Sequence, residues 1–435
     1  MNSEPVSDSI APSERASVMD RLRQLPWSMF WALADQGVVS IARLATSILI
    51  GRYGSAEELG IYSLGFTILT LVICLQESFV NTPYTVFVSR YPNEDRPKFA
   101  ANLLVIAKLL TVAAMICLGS IVTLVYLVNP SSTLLPILFA LLVILPFSLL
   151  KEFSRRWQIA HLKLKEATFL DSLNTLILLG GLLVLYRYES LTAFNAFMVT
   201  GLAALLASIV WSVRSLKEFH FQFDSLKLTA KSCLSFGKWV AGENLLSAFQ
   251  YFFANWFLFF ACTEQEVGDF AACMTIVMLC NPFLLGITGF LATRSSQEYS
   301  RAGEAAVRTM VNKYNLVVMI AMSAFCLSIY FFGDFLLETI FKGRIQNQHW
   351  TLVTLSAAMI GLGLSFFTSC GLKAINRPEV NFYASIIGLV VTAAIHFIFL
   401  SAASPFVSAN AFLAGCLAMA AFRWWKFLPT PTPET

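Results

Sequence analysis

Charge is what this chain has least of. Only 13% of its 435 residues are Asp, Glu, Lys or Arg, and just four are histidines. Soluble domains carry roughly 25% charge, so a water-facing surface cannot be built from this inventory. Catalytic signatures are missing too. There is no G-x-x-x-x-G-K-[ST] phosphate loop, no H-E-x-x-H pair and no D-x-D motif, which removes P-loop nucleotide hydrolysis, helix-borne zinc chemistry and the metal-diphosphate site of many sugar transferases. No C-x-x-C pair occurs among the nine cysteines, most of which lie inside apolar runs; they read as small membrane hydrophobes rather than disulfide partners or metal ligands. A net charge of +4 is too small for a nucleic-acid partner. No cofactor or metal is expected, and a soluble catalytic domain has no segment in which to reside, so the chain does not read as an enzyme.

What is abundant is apolar. Residues of that kind make up 57% of the sequence and the mean hydropathy is +0.69. A helix needs roughly 20 such residues to cross a hydrocarbon core of ~30 Å. Twelve runs qualify: 27–51, 60–89, 99–128, 132–155, 167–187, 191–213, 236–261, 268–293, 310–333, 350–373, 380–400 and 405–425. The expected fold is therefore an all-α polytopic membrane protein of about 12 transmembrane helices. An even count puts both termini on one side. With those termini cytoplasmic, the cytoplasmic segments collect 23 of the 30 Lys and Arg residues and the external loops only Arg52, Arg187, Lys342 and Arg344, as the positive-inside rule requires. Residues 1–26, charged and without a cleavable apolar stretch, read as a cytoplasmic tail rather than a signal peptide; residues 426–435 form a second.

The chain repeats itself. Trp31, Asp35, Glu58 and Gly60 recur as Trp239, Glu243, Glu266 and Gly268, each pair 208 positions apart. Four anchors at one spacing, without a gap, divide the molecule into a six-helix bundle over 27–213, a cytoplasmic linker over 214–235 and a second six-helix bundle over 236–425. Six is even, so the bundles form a parallel repeat about an axis along the bilayer normal, with a central cleft between them.

Ionisable groups inside hydrocarbon are costly and usually face a cavity or a partner. In the first helix Asp35, Gln36, Ser40, Arg43, Thr46 and Ser47 fall on one arc of about 140° at 100° per residue. The seventh repeats the pattern with Glu243, Asn244, Ser247, Gln250, Tyr251 and Asn255. Two readings stay open: these stripes line a water-filled cleft, or they bond to neighbouring helices within each bundle. On the first, Arg43, Gln36, Lys108, Asn244, Gln250 and Asn255 are candidate substrate contacts, and Asp35 with Glu243 a repeat-related pair for a coupling proton or sodium ion near the midplane. Arg43 is expected past the midplane, towards the outer leaflet, with Asp35 an alternative partner for it. Glu77 with Lys108 is either a buried ion pair or part of the cleft. Lys151 and Glu152 read as interfacial, their stems snorkelling to the headgroups, and Asp171 stays ambiguous. Pro83, Pro146 and Pro282 are expected to kink their helices.

Trp31, Asp35 and Gln36, followed by Ile50-Gly51-Arg52-Tyr53-Gly54 and Ala56-Glu57-Glu58-Leu59-Gly60-Ile61-Tyr62, resemble the opening of polysaccharide and O-antigen flippases of the multidrug/oligosaccharidyl-lipid/polysaccharide (MOP) exporter superfamily. The resemblance implies an alternating-access carrier in the bacterial cytoplasmic membrane. Its implied partners are membrane lipid and an isoprenoid-diphosphate-linked glycan, an O-antigen or exopolysaccharide repeat unit. It also implies basic residues along the cleft, for which Arg43 is the clearest match and Lys108 a weaker one. So sparse a set leaves a neutral oligosaccharide or another amphiphile open. The alternatives are a cation-coupled multidrug exporter of the same superfamily and, from another class, a membrane-bound polysaccharide polymerase or ligase, which would favour a large external loop.

Overall fold

The computed structural model describes residues 12–428, except Ser89, Arg90, Asn93, Leu162, 222–224, Asn376 and Pro378. The extreme parts of both expected tails, 1–11 and 429–435, lie outside the described residues, as does the side chain of the repeat anchor Trp239. Helices account for nearly all of the rest. They are α1 (Pro12–Tyr53), α2 (Ala56–Gln76, continued through Glu77–Asn81 and Thr82–Phe87), α3 (Arg96–Val128), α4 (Leu134–Ala160), α5 (Leu164–Arg187) and α6 (Ala193–Ser215) in the first half. The second half holds α7 (Leu226–Ala261), α8 (Glu264–Ala292, interrupted by a 3-10 turn at Met278–Cys280), α9 (Arg301–Phe341), α10 (His349–Ala374), α11 (Glu379–Ile398) and α12 (Pro405–Phe427). Helical structure runs from Asn281 to Phe341 and is bent only where Gly303 takes a φ of 76°, so α8 and α9 are joined by a helical elbow.

Ten of these helices are long and apolar enough to cross a membrane. Only the described residues bear on this count; α1 and α7, the repeat-related helices that carry the polar stripes, are not among the ten. Their ends carry the repeat into three dimensions: Tyr53 and Ala261 close them, Ala56 and Glu264 open the helices that follow, and both pairs are again 208 apart.

Several helices start earlier or end later than their apolar runs. Residues 226–235, expected in the linker, form the first turns of α7, because Thr229, Cys233 and Gly237 recur at four-residue spacing and bury one face while Lys227 and Lys231 stay exposed. Helix α4 continues to Ala160, five residues past the expected end. Pro83 follows a π-helical turn at Glu77–Asn81, in which the Thr82 N–H reaches back to the Glu77 carbonyl; a ring nitrogen that cannot donate to its i−4 carbonyl lets the ladder slip by one residue. The 3-10 turn of α8 likewise precedes Pro282, whereas Pro146 lies inside an uninterrupted α4.

Within the first half α4 packs on α6, α5 on α1 and α6, and α3 on α4; within the second, α10 packs on α9 and α12, and α12 on α11. Between halves, α2 lies along α7 and α8. We call the end bearing the α1–α2 and α7–α8 turns the outer end, after the orientation the basic residues predict. There the halves share one core that includes Ile50, Leu59, Leu64, Phe270, Val277 and Phe341. Glycine makes this closure possible. A Cβ on Gly60 would lie 2.3 Å from the Glu264 carbonyl oxygen, and one on Gly268 would lie 1.8 Å from that of Ala56. These are the repeat-related pair, and α2 and α8 meet backbone to backbone through them.

Candidate functional site

The first half carries a chain of buried ion pairs. Lys151 and Arg155 are four residues apart on α4 and so share a face; Asp171 lies opposite on α5. Asp171 receives Lys151 Nζ at 2.6 Å and Arg155 Nε at 2.7 Å, its own side chain only 1% exposed. The other arm of Arg155 reaches Asp35 on α1, Nη2 to Oδ2 at 2.6 Å, and Lys151 also contacts Glu152 at 3.3 Å. Thr168, one turn before Asp171, donates to the Trp31 carbonyl at 3.1 Å and fixes α5 against α1 one turn before Asp35. Three carboxylates thus share two cations.

This corrects three expectations. Lys151 is not interfacial: it is buried and bonded across the bundle, because α4 runs nine residues beyond it rather than four. Asp35 is bound to Arg155 rather than to Arg43. Glu77 pairs not with Lys108 but with Arg156, at 2.7 Å, while Lys108 is exposed with no ion pair among the described residues. Arg156 lies one residue beyond the expected span 132–155; because α4 continues to Ala160, it falls inside the helix and faces Glu77 of α2.

Arg43 stands apart. It is exposed, has no ion-pair partner among the described residues, and lies 5.7 Å from the centre of the Phe66 ring. Phe66 on α2 in turn meets Phe252 on α7 edge to face at 6.5 Å, so Arg43 lies beside the seam of the two halves. Ten residues separate it from the outer end of α1, about 15 Å at 1.5 Å per residue. Asp35 and Glu243 each lie eighteen residues from the ends of α1 and α7 at Tyr53 and Ala261, about 27 Å.

The other candidates divide. Asn244 donates to Ser78 Oγ at 3.1 Å and Asn255 to Ser63 Oγ at 2.8 Å, so both fasten α7 to α2 across the halves. Gln250 is buried inside the second bundle against Gly388 and Gly415, away from a cleft. Gln36 is half-buried. Glu243 meets Lys373 at 3.2 Å in a pair whose lysine side chain is 53% exposed. Arg423 of α12, which the sequence did not single out, is buried and donates to Ser365 Oγ at 2.6 Å. The repeat therefore preserves the acids of α1 and α7 but not their surroundings.

A family model described as polysaccharide biosynthesis protein matches residues 28–291. The chain belongs to that family. No curated protein matches it. Among solved structures it is similar to an inward-facing multidrug resistance MATE family transporter of the MOP superfamily, with a TM-score of 0.77 at 16% identity over 89% of this chain and 93% of that one. A MOP superfamily transporter from Pyrococcus furiosus Vc1, described as having a binding pocket of reverse polarity, gives 0.69 at 15% identity over 92% and 93%. An outward-facing MATE family transporter gives 0.67 at 14% identity over 92% and 93%. At such identities the likeness is one of fold, and the fold is that of MOP superfamily transporters: two six-helix bundles related by a repeat.

Proposed function

We propose that this member of the polysaccharide biosynthesis protein family is an alternating-access carrier, not an enzyme, which turns an isoprenoid-diphosphate-linked oligosaccharide from the inner to the outer leaflet of the bacterial cytoplasmic membrane, with both termini cytoplasmic. The observation that carries the reading is Arg43, beside the seam of the halves, its guanidinium over the Phe66 ring and without an ion-pair partner among the described residues. Every carboxylate of the first-half wall, Asp35, Glu77, Glu152 and Asp171, is already held by a cation. Such a wall offers an anion a bidentate donor and offers a cationic drug no free acid, which favours the lipid-diphosphate over the multidrug alternative. The closed outer end and the exposed Phe283, Leu285 and Phe290 on α8 suit an entrance from the inner side, flanked by lipid. Gly37 on α1, with no atom within 4 Å of its Cβ position, adds open space there.

The driving ion in this reading is a proton. Asp35, Glu152 and Asp171 outnumber Lys151 and Arg155 by one charge, and a proton on one of them removes the excess without needing the oxygen cage a sodium ion requires. Binding that differs between the two cleft openings then shifts their equilibrium.

The test is flipping of a fluorescent undecaprenyl-diphosphate oligosaccharide in vesicles containing the purified protein. Arg43→Ala should abolish the flux, and Arg43→Lys, which keeps the charge but not the fork, should retain part of it. Wild-type flux from Arg43→Ala would refute the assignment.

A further inference from the structure

The π turn of α2 is the least ordinary backbone in the membrane region, and three kinds of contact converge on it. Glu77, its first residue, is held by Arg156 through Nη2 at 2.7 Å and Nε at 3.1 Å, and it accepts from Asn81 Nδ2 at 3.0 Å and Thr82 Oγ1 at 3.3 Å. One carboxylate thus spans the whole turn. Ser78, the next residue, takes the bond from Asn244 of the other half and donates to the Cys74 carbonyl at 2.7 Å. Gly237 of α7 rests on the same turn, where an added Cβ would lie 2.7 Å from the Ser78 carbonyl oxygen. Below it, Phe87 and Phe236 meet edge to face at 5.3 Å.

We propose that this turn is a latch between the halves, held in its π register by Glu77, and that Arg156 is a second anion site whose occupation by a substrate phosphate releases it. The proposal rests on the reading of an anionic, lipid-linked substrate. Glu77 sits on the Arg156 guanidinium by two bonds, as a phosphate would, and neither side chain is sealed: they are 24% and 34% exposed. A phosphate oxyanion that takes the guanidinium leaves Glu77 with two neutral donors. The extra residue of the π turn then loses the strongest bond that holds it. Reversion to α-helical register moves the following segment by one residue, about 100° and 1.5 Å. That movement carries Ser78 out of line with Asn244 and frees α7 to move against α2. Helices containing π turns often place them where function needs such a slip. In this arrangement Glu77 is a positioning residue and Arg156 touches the substrate.

The latch is read by bridging Phe87→Cys to Phe236→Cys with dibromobimane, in a chain whose native cysteines are replaced, so that neither Ser78 nor Asn244 is altered. Amide exchange over 77–87 gives a second readout. Without ligand, Arg156→Gln should slow bridging at least threefold and raise exchange across the turn, and Arg156→Lys should fall between it and the parent. Geranylgeranyl diphosphate should slow bridging of the parent to a similar degree while leaving Arg156→Gln unchanged, and geranylgeraniol should do nothing. Unaltered bridging and exchange in a monodisperse Arg156→Gln protein would overturn the latch. Binding of the diphosphate with no change in bridging would overturn the trigger. If the diphosphate does not bind although Arg156→Gln still loosens the turn, the anionic trigger and the substrate reading fall together, and that pattern is distinct from a failed latch.

Discussion

Alanine at position 268 tests the outer closure, and the structure sets the size of the effect. The added Cβ would lie 1.8 Å from the Ala56 carbonyl oxygen and 2.5 Å from its carbon, both backbone atoms. To reach an ordinary contact of 3.4 Å, α2 and α8 must part by about 1.6 Å at their tightest point. Gly60→Ala, at 2.3 Å from the Glu264 oxygen, asks for about 1.1 Å. Overpacking of this kind costs about 1–3 kcal/mol. The cost falls only on the state in which the outer end is closed, because separated helices do not feel it. The ratio of open to closed should therefore shift roughly 5- to 150-fold, more for position 268 than for 60. Thr67, on the same face of α2 two turns further in and 1% exposed, supplies the reporter. A cysteine there, in a cysteine-free chain, should react with a membrane-impermeant maleimide from outside faster in both alanine variants, with 268 ahead of 60. Equal rates in folded wild-type and Gly268→Ala protein would mean that the glycine pair does not set the closure.

The ion-pair chain predicts an order of stability: Asp171→Asn, which strips a contact from both Lys151 and Arg155, should cost about 3–5 kcal/mol in thermal unfolding in detergent, and Asp35→Asn, which leaves Arg155 bound to Asp171, distinctly less; the reverse order would refute the network. Transport by Asp35→Asn should stop following an imposed pH gradient, whereas Glu243→Gln, whose carboxylate shares a partly exposed pair with Lys373, should follow it as wild type does. Loss of gradient response in Glu243→Gln alone would move the coupling site to the second half. For orientation, single cysteines at Ser131 and Thr263 should label from outside the cell and one at Ser225 should not; the opposite pattern would invert the sidedness.

How much of this was legible in the sequence depended on the range of the interaction. Apolar runs and the 208-residue repeat are properties of the chain alone, and the twelve helices follow from them. Pro83 announced a backbone fault, and a fault is present, though the sequence could not show that the ladder would slip into a π turn rather than kink. What stayed hidden were the partners of charges. Lys151 looked interfacial because the apolar run around it stops near residue 155, yet the helix persists to Ala160 by burying Phe153 and Trp157 against Tyr84, Phe99, Trp211 and Phe219. Five residues of helix are about 7.5 Å of depth, enough to turn a snorkelling lysine into a buried one and an arginine beyond the expected span into the partner of Glu77. Asn244 and Asn255 show the limit of a polar stripe: periodicity found the face, but a face that fastens two halves and a face that lines water have the same period.

In the proposed cycle the coupling site lies in one half only, and the two environments of the repeat are the reason. Asp35 and Glu243 descend from the same position and lie at the same depth, so intrinsic chemistry does not separate them. Their neighbours do. Around Asp35 the second acid, Asp171, is buried behind two cations, so the charge state of one carboxylate is transmitted through Arg155 to the packing of α1, α4 and α5 together. Around Glu243 the lysine is half in solvent, and the buried cation, Arg423, is held by serine and backbone oxygens instead of an acid. A proton arriving at Glu243 therefore changes a surface pair worth ~1 kcal/mol or less, whereas one arriving at the Asp35 network changes a buried cluster whose rupture costs several times more. A conformational equilibrium moves only by the difference in free energy that the ligand feels between its two states, and of the two sites only the first has a difference of that size to give.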